Sequence, residues 1–65
     1  MILDYRKIEI ACARKCFTIK ELLKEAKISS FTITRIKRGK LLQCKTAGKL
    51  AAALGVDVAE LLAEQ

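Results

Sequence analysis

Apolar residues recur at spacings of three and four along nearly the whole chain, a pattern that predicts helices separated by short polar turns. Behind Asp4, whose carboxylate can cap a first turn, Tyr5, Ile8, Ala11 and Cys12 make one stripe of a helix running to residue 15. Ile10 falls outside that stripe. Thr18 is placed to cap a second helix carrying Ile19, Leu22, Leu23 and Ala26. Ser29 and Ser30 follow so soon after Ala26 that the chain must reverse and restart a helix at once, with Ile33 and Ile36 inward and Gly39 as its left-handed close. After a loop, Thr46 caps a fourth helix to residue 54, with Ala47, Leu50, Ala51 and Leu54 inward, Lys49 outward and Gly55 at the end. Asp57 caps a fifth, with Val58, Leu61 and Leu62 inward. The expected fold class is all-α: one compact five-helix domain spanning residues 1–65.

Residues 18–40 organise the rest. Two short helices joined by a turn of three or four residues are the helix-turn-helix arrangement, in which the second helix lies in the DNA major groove. Here Thr18, Leu22, Ile28, Ser29, Thr32, Ile33, Arg35, Ile36, Gly39 and Lys40 fall in register with a family pattern. That pattern runs Ser/Thr-Gln-x-x-Leu-Ala-x-x-x-Gly-Val-Ser-x-x-Thr-Ile-Ser-Arg-Ile-Glu-x-Gly-Lys, and the chain thereby resembles the lambda-repressor-like (Xre/Cro) helix-turn-helix family. The stretch from Thr46 to Val56, with its Ala-Leu-Gly-Val ending, resembles the family's next helix. The resemblance implies a lambda-repressor-like domain, with the motif formed by helices two and three and the last segment completing the core and part of a dimer contact.

The departures from the pattern are also informative. Cys16 and Lys27 stand where the family has glycine, at positions expected to be left-handed, each at a cost of roughly 1 kcal/mol. Leu23 and Ala26 read as an exchange of volumes between neighbouring core positions. Ile19 replaces a glutamine that in the family contacts a phosphate and braces a base-reading residue. An Arg–Glu pair of the family falls at Cys12 and Lys37, so both ends are lost and Lys37 is expected to be free to face DNA. Leu41 and Leu42 are unusually apolar for a loop. They are expected to fold back into the core, with a partner subunit as the alternative.

Charge sharpens the picture. The 65 residues carry a net +6, unevenly spread: residues 14–49 hold eleven Lys/Arg against Glu21 and Glu25, a net +9, whereas residues 50–65 hold Asp57, Glu60 and Glu64 and no base, a net −3. The positive field therefore coincides with the motif. With no histidine and only Cys12, Cys16 and Cys44, a four-ligand zinc site cannot be assembled, and neither a metal nor a cofactor is expected. Without clustered carboxylates or a Gly-rich phosphate loop, no enzyme is expected. Lacking a membrane-length apolar run or a secretion signal, the chain is expected to be cytoplasmic, and at this length to hold no small-molecule effector domain.

Carried over residue by residue, the resemblance implies that Ser30, Phe31, Thr34 and Arg35 face the bases, and that Thr18, Ser29, Lys37, Arg38 and Lys40 meet phosphates. Phe31 could instead turn inward as core, and Arg35 could hold a phosphate or pair with Glu21 or Glu25. The expected partner is double-stranded DNA, and the expected form a homodimer on a palindromic operator, since one such domain offers few contacts. The function so implied is a transcriptional regulator, a repressor of phage or mobile-element type. Two other readings stand beside it. One is an excisionase-like architectural DNA binder, which requires a β-wing after Lys40; the Ala-rich stretch there favours a helix. The other is a protein-interaction module, antitoxin-like or adaptor, which would use Ile10, Leu41 and Leu42 as a shared apolar surface.

Overall fold

The computed structural model describes residues 1–63 and contains α1 (Tyr5–Arg14), α2 (Ile19–Ala26), α3 (Ser30–Lys37) and α4 (Cys44–Leu54), followed by a 3₁₀ turn over Val58–Leu61. Glu64 and Gln65, the end of the expected domain, lie outside the described residues. The apolar stripes account for the packing. Ile8, Leu22, Leu50 and Leu61 are fully buried, joined by Ala11, Cys12, Ala26, Ile33, Ile36, Ala47, Ala51 and Leu54 in one core. Among the described residues no polar or charged side chain is buried. Such a core places few demands on hydrogen bonding and is held by apolar burial. Burial pushes the Cys12 thiol above its ordinary pKa, and the nearby Glu9 carboxylate adds to the effect.

The helix ends follow one device. Each helix closes through a left-handed residue, Cys16, Lys27, Gly39 and Gly55, with φ of +57°, +57°, +70° and +67° respectively. The residue after each turns its N–H back to a carbonyl five residues earlier: Phe17 to Cys12, Ile28 to Leu23, Lys40 to Arg35 and Val56 to Ala51, at 2.9 to 3.1 Å. This is the bonding that satisfies the orphan carbonyls of a helix end. The expectation that Cys16 and Lys27 occupy left-handed positions therefore holds. Three of the four following residues, Phe17, Ile28 and Val56, are half-buried and pack on the core, so each closure also adds apolar contact.

Three expectations are corrected. The fifth helix is only a 3₁₀ turn, although Asp57 caps it by accepting the Ala59 N–H at 3.0 Å. Helix growth stops there because the next backbone groups are taken by the N-terminal segment. Asp4 N–H donates to the Leu61 carbonyl at 2.8 Å, Ala63 N–H donates to Ile2 at 3.0 Å, and Leu3 and Leu62 form an antiparallel bridge. Second, α4 begins three residues early, with Gln43 rather than Thr46 at the N-cap and no side-chain cap bond. The Met1 amine and carbonyl exchange hydrogen bonds of 2.8 and 2.7 Å with the Leu42 carbonyl and N–H, which pins the chain just ahead of that start. Third, the same pinning splits the two loop leucines. Leu42 is buried, whereas Leu41 is 66% exposed, as alternation along an extended backbone requires. Leu42 is thereby withdrawn from the apolar surface expected of an adaptor, leaving Ile10 and Leu41 exposed, and among the described residues a helix follows the loop where an excisionase-like wing would lie.

Candidate nucleic-acid interface

The site is built by α2 and the turn that leads from it into α3. Thr18 and Glu21 form a reciprocal cap, the Thr18 hydroxyl accepting the Glu21 N–H and the Glu21 carboxylate accepting the Thr18 N–H, each at 3.1 Å. This fixes the start of α2, which buries Leu22 and Ala26 and packs against α4 and α1. Residues 27–29 then turn the chain, with Lys27 supplying the left-handed conformation. The helix that follows, α3, packs on α1 through Ile33 and Ile36.

At about 100° per residue, Ser30, Phe31, Thr34 and Arg35 fall on the side of α3 opposite Ile33 and Ile36. All four are exposed, and Phe31 is 69% exposed. The alternative placement of Phe31 in the core is therefore excluded. Thr34 directs its hydroxyl back to the Ser30 carbonyl at 3.4 Å, a weak local bond that leaves its methyl and oxygen on the outer face. Arg35 pairs with neither Glu21 nor Glu25. One of its Nη2 hydrogens goes to the Leu41 carbonyl at 2.8 Å, which ties the exposed guanidinium to the loop and leaves further donors for an outside acceptor.

Two shallow concavities flank this face. Phe31, Thr34, Arg35, Arg38 and Lys40 line one; Phe31, Arg35, Leu41, Gln43 and Thr46 lie along the other. Phe31 and Arg35 belong to both and stand as the ridge between them. In the first concavity Arg38 and Lys40 join Arg35, whereas in the second Arg35 is the one charged lining residue. Gln43 was not among the residues expected here. Its place followed from the early start of α4, for which an uncapped glutamine after two leucines gave no signal in the sequence.

The flanking residues differ in how free they are. Ser29 caps α3 by position alone, its carbonyl accepting the Thr32 N–H at 3.1 Å while its hydroxyl makes no cap bond. The Thr18 hydroxyl accepts from Glu21 and keeps its own proton to donate. Arg38 and Lys40 are exposed beside the ridge. Lys37 is not free as expected: its ammonium sits 4.9 Å from the centroid of the Tyr5 ring, a cation–π contact joining α3 to α1. That contact stands in for the absent Arg–Glu pair, because Lys37 lies about 100° around α3 from Ile36, toward α1.

Among the described residues no three His, Cys, Asp or Glu side chains gather where a metal could bind, and no helix is long and apolar enough to cross a membrane. No curated protein and no solved structure matches the chain. The family model of the Cro/C1-type HTH DNA-binding domain matches residues 7–63, from the first turn of α1 to the last described residue. That span takes in the capped α2, the left-handed turn and the outward polar face of α3, and so this chain belongs to the Cro/C1-type helix-turn-helix family of DNA-binding regulators.

Proposed function

We propose that the chain is a sequence-specific transcriptional repressor of phage or mobile-element type that lays α3 in the major groove and binds a palindromic operator as a homodimer. The observation that carries this reading is the division of α3. Its inner side is held by Ile33 and Ile36, and its outer side offers Ser30, Phe31, Thr34 and Arg35 with no core role to occupy them. In this reading Arg35 hydrogen-bonds guanine, Phe31 packs on a thymine methyl, and Ser30 and Thr34 complete the base contacts. Thr18, Ser29, Lys37, Arg38 and Lys40 bond phosphates and set the register, with Lys37 reaching a phosphate from the Tyr5 ring. Two copies reading half-sites one helical turn, about 34 Å, apart supply the contacts that a single domain lacks.

The test is selection from a pool of random duplex DNA across a salt series, followed by sequencing of the retained fraction. A palindromic motif, with log affinity falling against log salt by about 0.9 per phosphate contact, is the expected result. Retention without any motif would leave a charged surface with no base reading and overturn the sequence-specific repressor. A motif with only one half-site would overturn the dimer alone.

A further inference from the structure

We propose that Phe31 and Arg35 together read a single dinucleotide step, a 5-methylpyrimidine followed on the same strand by guanine, and that 5-methylcytosine serves at the first position as well as thymine. The inference rests on α3 entering the major groove. It then follows from the chemistry of the ridge.

Phe31 is an aromatic side chain left 69% exposed at the start of α3, on the outward face. It has no donor and no acceptor in its side chain. Of everything a base pair displays in the major groove, only the pyrimidine 5-methyl is apolar, so that methyl is the one feature Phe31 can distinguish. An aromatic ring cannot tell whether the base beneath the methyl carries an oxygen or an amino group at the next ring position. Thymine and 5-methylcytosine are therefore equivalent to it, and both differ from cytosine and uracil.

Arg35 lies four residues on, one turn along the same face, where side chains stand about 5 to 6 Å apart at Cβ. Successive bases on one strand are separated by about 3.4 Å, so the two side chains span neighbouring bases. Both line the same two concavities, and the Arg35 guanidinium is held by the Leu41 carbonyl, which belongs to a residue of one of them. In B-form DNA a pyrimidine methyl projects next to the O6/N7 edge of the guanine on its 3′ side. A guanidinium placed on that guanine and a ring placed on that methyl thus occupy one step.

The experiment uses the duplex retained by selection and replaces, one at a time, each thymine in the footprint by deoxyuridine and each cytosine by 5-methylcytosine. Affinities are measured for the wild type, Phe31→Ala and Phe31→Leu. Removing the methyl at the step 5′ of the contacted guanine is expected to weaken wild-type binding about fourfold per half-site, the loss of one buried methyl at about 0.8 kcal/mol. Cytosine at that position binds like uracil, and 5-methylcytosine recovers the thymine affinity. Phe31→Ala is expected to bind thymine and uracil duplexes equally, while Phe31→Leu keeps part of the difference. Exposed Phe31 leaves the core intact in both variants, which far-UV circular dichroism verifies. A duplex that is bound with a motif but is indifferent to every methyl, or a methyl preference that survives Phe31→Ala, overturns this proposal and leaves the groove reading standing. Failure to retain any motif overturns both.

Discussion

The two helices of the motif have the same length, eight residues each, and opposite allocations of their side chains. In α2 the N-terminus is closed by the Thr18–Glu21 reciprocal cap, and Ile19, Leu22, Leu23 and Ala26 all face or border the core. In α3 the cap hydroxyl of Ser29 is unused, Phe31 stands out in solvent, and only Ile33 and Ile36 are buried. One helix spends its sequence on being held, the other on being presented. The difference teaches that weak amphipathicity in α3 is a consequence of task, since a side chain committed to the core or to a cap is lost to a ligand.

The largest expected separation between the two helices is in stability. Leu22→Ala, at a fully buried site, is expected to cost 2 to 5 kcal/mol, enough to leave much of so small a domain unfolded. Phe31→Ala, at an exposed one, is expected to fall within about 0.5 kcal/mol of wild type. Urea denaturation followed by circular dichroism measures both. A large loss for Phe31→Ala would break the division, because it would show that the outer face of α3 also carries the fold.

The next effect is on DNA. Arg35→Ala is expected to weaken binding to the selected duplex by 1 to 3 kcal/mol and to relax the preference at one base pair, while Arg38→Ala lowers affinity for all sequences and reduces the salt slope by about 0.9. Titrations at several salt concentrations distinguish the two. If Arg35→Ala changed the slope and not the sequence preference, Arg35 would be a phosphate ligand and the base-facing set would shrink to Ser30, Phe31 and Thr34.

A finer contrast lies in the caps. Thr18→Ala removes a hydroxyl that accepts the Glu21 N–H and is expected to cost about 1 kcal/mol of stability. Ser29→Ala removes a hydroxyl with no cap bond and is expected to leave thermal stability nearly unchanged while weakening DNA binding. Equal losses of stability from the two would place Ser29 with the scaffold.

How far the sequence discloses all this follows the same division. The inward stripes were legible because burial imposes a period on α1, α2 and α4; of the left-handed ends, Gly39 and Gly55 were legible as glycines, and Cys16 and Lys27 only through the resemblance, which has glycine at both positions. The outward face of α3 was legible by elimination once Ile33 and Ile36 were assigned inward. What stayed hidden depends on contacts between distant segments. Residues 1–4 pair with the Leu42 loop and with residues 61–63, fixing the start of α4 and cutting the expected fifth helix to one turn. Backbone hydrogen bonds of this kind leave no periodic mark. The Lys37–Tyr5 contact is of the same sort, since neither residue signals the other across the separation between α1 and α3.

The smallest effect tests the ends of the two helices, where the comparison runs in the reverse direction. The scaffold helix α2 closes through Lys27 at φ +57°, a conformation that costs an L-residue roughly 1 kcal/mol, whereas the presented helix α3 closes through Gly39 at φ +70° with nothing near the position where a Cβ would stand. Lys27→Gly removes that strain but also frees the unfolded chain, so the net gain is expected to be about 0.5 kcal/mol; Gly39→Ala introduces the strain without a clash and is expected to lose about 1 kcal/mol. Thermal melts of the two variants measure both signs. Lys27 is also exposed, in the turn that leads into α3, and adds to the positive charge of the motif. If Lys27→Gly raises the melting temperature and lowers DNA affinity together, the strained lysine is kept for its charge, and even the scaffold helix gives up one position to the ligand. If stability rises and affinity is untouched, α2 serves the fold alone and the separation between the two helices is complete.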